Sequence, residues 1–595
     1  MRRRSILASI SLTLAGLAGS PASLGQPLLD EVPQQAMAYV GWAGTEQTRL
    51  AYADSTLQQL VALVKPEQIT AAWRSALPMI RHHLDEPTFN EVYRHFTGLL
   101  QASARGQMAI YLTAGPADAM GRPTPPGLGM LWRPADADDR QALLAALKYF
   151  ADQARGAPFA VELSLDGPSV QLLINRPGTV AAAPTAGALN ERVDLAASSR
   201  FQDAWTRLNA DGPIVGYVDL PRISAYATEW AVATQRSPRD VETLLKVLEA
   251  LNLKGLGPIA FSSGFDGQRW RSDYFLAAPA PRTGLAALLE APAISEQDLA
   301  LPPANADWVG LLSFDFGQVV DLTRATLAAA DPAAADQFEQ ALAQASTAIG
   351  IDVETRLLRG LGTSWVVFND PALAGDSAAG LVLMNPLQDP EGVGQGLRAV
   401  QALGNLALFQ ALNDQPFKLQ IHTQAVEGLD IHSLMLPLIA PSWAILDGKL
   451  IVGLYPQTLV AAKDRFEQTR SLRNNPAFEE LVQSVGTRRL TGLSWVNLPE
   501  TAEQSYGSLL ASEHLITGIA AMATGQPMPQ VLPPLARLQP LLEPCQSLGW
   551  LDEHGWHAQS HSPFPGASIL GPQAVGGAAL GNPLMSWIPA LLIGR

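Results

Sequence analysis

Cysteine is almost absent from this 595-residue chain. Cys545 stands alone, so no intramolecular disulfide can form in any compartment, and stability has to come from apolar burial. Lysine is scarce too, with seven among 40 basic residues, while 55 acidic residues set the net charge at −15. No basic cluster follows the N-terminus, which argues against a nucleic-acid-binding surface. Charged residues make up only 16%, but a hydrophobic fraction of 47% is too apolar for a disordered chain. Signature motifs are missing as well: there is no Gly-x-Ser-x-Gly elbow, no Gly-x-x-x-x-Gly-Lys phosphate loop and no His-Glu-x-x-His helix. Because single cores stop growing near about 250 to 300 residues, this length implies two domains.

What is present begins with an export signal. Arg2, Arg3 and Arg4 precede an uncharged Ile-, Leu- and Ala-rich run, and small residues follow at Ser20, Ala22, Ser23 and Gly25, the layout of a cleavable signal peptide over residues 1–25. No lipoprotein anchor is expected, because Ser20 stands where the lipid-bearing cysteine would be. The mature protein is therefore expected in the periplasm or outside the cell, possible envelope association included.

The two halves resemble each other in order. Pro33–Gly41 matches Pro302–Gly310, which aligns Tyr39 with Trp308 and Gly41 with Gly310. Gly106 then pairs with Gly362, Trp132-Arg133-Pro134 with Met384-Asn385-Pro386, Phe159 with Phe417, Tyr217-Val218-Asp219 with Trp495-Val496-Asn497, and Trp270 with Trp556. Six collinear matches point to an internal duplication. The offset changes place extra residues around Arg81 to Phe96 in the first half and an extra hairpin, Trp443 to Tyr455, in the second.

Asp166-Gly167, Asp266-Gly267 and Asp447-Gly448 sit between β-forming runs and read as two-residue type I′ hairpin loops, so the sheets are mainly antiparallel. Helices with one apolar stripe lie between them. One starts after Ser237-Pro238 with Val241, Leu244, Leu245 and Leu248 in register, and another follows Asp138. The expected fold class is α+β: two similar lobes, each a mainly antiparallel sheet with helices on one face. The boundaries are 27–290 for the first lobe, 291–565 for the second, and 566–595 for an apolar Gly/Pro-rich tail.

The order Pro-x-x-x-x-x-aromatic-Val-Gly, a helix ending at Leu358-x-x-Leu361-Gly362, the run Ile445–Val452, and aromatic-Val-Asp/Asn resembles bacterial envelope proteins grouped as domain of unknown function 3352. The resemblance implies export and this architecture. It carries over no catalytic residues.

Candidate sites are sparse. Glu46 and Asp315, each five residues after a strand-ending glycine, are the one pseudo-symmetric carboxylate pair and serve as weak catalytic candidates, with helix capping as the plain alternative. His554, His557 and His561 follow Asp552 and Glu553 and are weak metal candidates. In a strand, however, His554 would face away from His557, and His557 and His561 would stand about 13 Å apart, so no metal site is assigned. His82, His83, Asp85, Glu86 and His95 form a second cluster within the first-half insertion, where Pro87 starts a helix whose Phe89, Val92, Tyr93, Phe96, Leu99 and Leu100 face inward, leaving Glu91 and His95 wet. Gly392 to Gly396 reads as a plain loop, and Cys545 as a small buried residue.

No cofactor is expected. The reading is an exported, non-catalytic binding or structural protein of the envelope, with an unnamed envelope partner or ligand and no nucleic acid. A weak membrane association through the tail is allowed for. Two alternatives stand beside it: a periplasmic hydrolase using inter-lobe carboxylates, and a carrier of an apolar ligand, which needs a large Leu/Phe-lined cavity.

Overall fold

The computed structural model describes residues 27–64, 86–115, 123–154, 160–175, 194–208, 212–234, 237–375, 378–412, 418–468, 470–525 and 532–567. The signal segment, His82, His83, Asp85 and the tail from 568 onward lie outside the described residues.

Residues before 290 supply strands β1 Ala36–Trp42, β2 Gln107–Thr113, β3 Gly127–Arg133, β4 Ala160–Asp166, β5 Ser169–Asn175, β6 Ile214–Val218, β7 Ile259–Asp266 and β8 Arg269–Ala277. Later residues supply β9 Trp308–Ser313, β10 Ser364–Asn369, β11 Leu381–Pro386, β12 Ile421–Val426, β13 Leu429–Leu434, β14 Ser442–Leu446, β15 Lys449–Gly453, β16 Arg489–Val496, β17 Cys545–Leu551 and β18 Gly555–Ser562. All pairings are antiparallel and join into one sheet. Its first part runs β4-β5-β3-β2-β1-β6-β7-β8. It continues β18-β17-β16-β9-β10-β11-β15-β14-β13-β12. The β14–β15 hairpin sits between β11 and β13, whereas β5 pairs β3 directly.

Cross-strand partners share a face, so each face can be followed residue to residue. One face runs Tyr39, Tyr217, Ala260, Phe275, His557, Trp550. Beyond Trp550 its β17 neighbour Leu548 continues to Leu493 and Leu311. It carries two apolar clusters, one around Tyr39, Tyr111 and Tyr217 and one around Val309, Phe368 and Trp495. The opposite face runs Val40, Gly216, Phe261, Tyr274, Ala558, Gly549, Gly492, Leu312.

Four local expectations need correction. Tyr39 pairs with Tyr217, but the partner of Trp495 is Val309, so Trp308 points to the other face, against Val367 and Val496. Aligning Tyr39 with Trp308 is off by one residue, and a one-residue slip turns a strand over. Among the Asp-Gly loops only Asp447-Gly448 has positive φ at both positions, 48° and 73°, as type I′ requires. The other two loops are Gly167-Pro168 and Gly267-Gln268, with the aspartate still paired in its strand and positive φ only at glycine, the pattern of a type II′ turn. Gly392 to Gly396 is not a loop. Asp389 caps the Pro390–Ala411 helix through the Gly392 amide, and the bare glycines let it press on Leu357 and Ile351.

The Glu86–Arg105 helix forms as its stripe predicts, but His95 is half-buried and stacks on Tyr149 at 4.5 Å instead of standing in water. The Pro238–Ala250 helix, with Ser237 before it and proline at its start, packs on the Phe316–Ala330 helix, so a helix from each half of the chain meets the other.

Candidate functional site

At the centre of the sheet β8 pairs β18 from Gly555 opposite Ala277 to Ser562 opposite Trp270. Near this seam one face is unusually bare. Gly492 and Ser494 on β16, Ser547 and Gly549 on β17, and Ala558 and Ser560 on β18 all project the same way, an alternation that leaves a shallow floor. The Trp556 ring closes one side by lying across Gly549, where an added Cβ would come within 3.2 Å of it; its Nε1 donates to Thr491 Oγ1 at 3.2 Å. The Gly284–Glu290 segment, a 3₁₀ turn, crosses above and lowers Leu285, Leu288 and Leu289 toward the floor, with Leu256 and Phe314 beside them. Between floor and roof is a cavity of about 270 Å³.

The roof is tied at its far end. Glu290 accepts from Arg282 Nη1 at 2.5 Å and from Arg489 Nη1 at 2.8 Å, while Arg489 Nη2 donates to the carbonyls of Glu290 and Ala291. The hydrogen bond from Arg282 is the main reason the Glu290 carboxyl sits below the usual carboxylate range; partial burial opposes it and Arg489 assists. Arg282 also reaches the Asp552 carbonyl in the β17–β18 turn, fastening the strap to the second half. Tyr274 is the one titratable side chain lining the cavity, and burial raises its pKa. Such a lining offers apolar contact and a few hydroxyls. It offers no acid and base pair.

The other face of the seam is polar. Arg271 holds Asp273 with two hydrogen bonds, 2.7 and 2.9 Å, and Gln559 Nε2 donates to the same carboxylate at 2.9 Å. Trp550 stacks parallel on His557 at 5.2 Å, with Arg488 4.6 Å above the indole. A larger concavity lies elsewhere, a groove of about 670 Å³ between the Pro390–Ala411 helix and β12–β14. The amides of Gln401 and Asn405, among its lining residues, are already committed to the Ile421 backbone and to Thr423.

The carboxylates singled out from sequence do not meet. Glu46 lies in the first turn of the Thr45–Ala53 helix, 3.6 Å from Arg105. Asp315 caps the Phe316–Ala330 helix by accepting from the Gly317 amide at 2.7 Å. Neither lines the seam cavity. The histidines go separate ways too: His554 is 3.2 Å from Glu553, His557 is 3.1 Å from Asp552, and His561 is 3.6 Å from Asp266. Burial pulls the pKa values of His557 and His561 down. Among the described residues no group of three or more His, Cys, Asp or Glu side chains could hold a metal ion. Cys545 is buried and its thiol is pushed up to about 12, so it is inert at neutral pH.

The residues that build the seam went unmarked in the sequence. Their signal was there in Gly492/Ser494, Ser547/Gly549 and Ala558/Ser560, three strands with small residues two apart. What gives it meaning is a pairing between β8 and β18, almost 300 residues distant in the chain. No family model matches the chain, and no curated protein or solved structure matches it either.

Proposed function

We propose that the chain is an exported, non-catalytic binding protein of the bacterial envelope, made of two copies of one α+β lobe, that carries a small apolar ligand in the cavity at its seam. The observation that carries this reading is the cavity: about 270 Å³, roofed by three leucines and floored by glycine, serine and alanine. An apolar cavity of about 150 Å³ already stays dry and takes up benzene, so a larger one can hold a larger apolar molecule. Export rests on the N-terminal signal, and the envelope setting on the resemblance to domain of unknown function 3352.

The two-copy architecture is supported by matching local contacts. An isolated bridge joins Pro33 to Asp194 and another joins Pro303 to Ser471. The Leu195 amide donates to the Val32 carbonyl, as that of Leu472 does to Pro302, and the Asp219 amide donates to Met37 as that of Asn497 does to Asp307. The hydrolase alternative has less behind it, because Glu46 and Asp315 each serve a local partner. A scaffold role has one observation in its favour: Leu515, Ile519 and Met522 lie exposed along one side of the Leu498–Thr524 helix.

Calorimetric titration with toluene tests the carrier reading. Gly492 has no neighbour nearer than 3.8 Å to an added Cβ, so Gly492→Leu fills the cavity from its floor. The wild type is expected to bind saturably with a negative heat-capacity change, and Gly492→Leu to lose binding while keeping or raising its Tm. Equal binding by the filled variant overturns the reading.

A further inference from the structure

We infer that the polar side of the seam is a second binding site, one for an oxyanion group such as phosphate. Three arginines from separate elements line a pocket there of about 90 Å³: Arg207 after the Ser199–Trp205 helix, Arg271 on β8, and Arg488 after the Pro476–Val485 helix. Their neighbours in the lining include Asp273, Trp550, His557 and Gln559. Asp273 is the one carboxylate among the lining residues, and Arg271 holds it while also lying 3.9 Å from Asp266. Among the described residues Arg207 and Arg488 have no carboxylate within ion-pair distance. In a chain of net charge −15, two unpaired arginines at one small concavity are a local reversal of sign.

The aromatic stack fixes the geometry. Arg488 lies over Trp550, which lies parallel to His557, so the guanidinium is held against the aromatic stack at the rim of the pocket. Its Nη1 reaches the Ser484 carbonyl at 3.3 Å, a long bond that an anion would outcompete. The pocket is too small for an elongated molecule and is sized for a single compact head group. Because Arg207 comes from the first half of the chain and Arg488 from the second, the site is complete only when the halves are joined at β8–β18. It lies across the sheet from the apolar cavity, with Tyr274, Ala558 and Gln559 lining both and Gly492 lining only the cavity.

The test titrates the full mature chain with inorganic phosphate and, separately, with glycerol phosphate, at constant ionic strength. Tryptophan fluorescence and the His557 imidazole NMR signals are the readouts. Saturable change is expected in the wild type, with a rise in the His557 titration midpoint as the anion offsets Arg207. Arg207→Gln with Arg488→Gln, both at exposed positions, should weaken binding by at least roughly tenfold, the loss expected when charge-assisted hydrogen bonds are removed. Tighter binding of inorganic phosphate assigns the site to a free anion, and tighter binding of glycerol phosphate assigns it to a phosphorylated small molecule. Equal affinity in the double variant, or no saturable change with either probe, overturns the inference. Gly492→Leu should bind phosphate like the wild type.

Discussion

At the level of single residues, ionisable groups in this protein are mostly spent on local geometry. Asp315 is an N-cap, Asp389 another, and Glu46 shares Arg105 with Asp136 and Asp139. Exposed pairs of that kind contribute little to stability, and asparagine caps a helix about as well as aspartate. Replacing Glu46 and Asp315 together by Asn should therefore leave toluene binding unchanged and move stability by less than about 1 kcal/mol. Chemical denaturation alongside the titration checks both. A loss of binding with an intact fold would return the carboxylates to the ligand site. The plainer alternative, a helix cap or a loop acid, describes Asp315, whereas Glu46 lies in the first turn of its helix. The two are therefore not equivalent positions, and pairing them from sequence fails.

At the level of elements, the strap Gly284–Glu290 decides whether there is a cavity or a solvent-filled cleft. Its anchor is the Glu290 carboxylate between Arg282 and Arg489. The folded pKa of Glu290 is depressed, so the unfolded chain binds its proton more readily. The stabilisation is thus fully present above the unfolded pKa of about 4.3 and is lost as pH falls through the lower folded value. Glu290→Gln should cost about 1 kcal/mol near neutrality, with the carboxylate partly screened by solvent. Its Tm should then fall less than that of the wild type between about pH 6 and about pH 3. Parallel acid-sensitivity curves for the two proteins would contradict the clamp.

Elements were also what the sequence displayed best. The antiparallel pairing, the helices after Ser237 and Asp138, and the β14–β15 hairpin could be read from apolar periodicity and turn residues. Register could not. Tyr39, Val40, Trp308 and Val309 lie in strands with apolar neighbours on both faces, so residue type does not tell which way each side chain points. The Asp-Gly loops show a similar limit. Pro168 has no N–H with which to close a turn centred on Asp166-Gly167, so that turn moves forward by one and Gly167 leads it.

At the scale of the whole molecule, one antiparallel sheet runs through both halves and changes character at its middle. Large aromatic clusters occupy one face on either side of the seam. At the seam itself that face turns polar, and the opposite face turns small and apolar. Neither site follows from one half alone. That is why both escaped a reading that took the halves one at a time and had no means of joining β8 to β18. The account stands or falls on the apolar side of that joint being where a ligand goes. Amide hydrogen exchange on the full mature chain, with and without saturating toluene, measures this directly. The account predicts added protection concentrated in Gly284–Glu290 and in β16, β17 and β18, and its disappearance in Gly492→Leu. Protection that is absent, or that falls instead on the groove beside the Pro390–Ala411 helix, would contradict it.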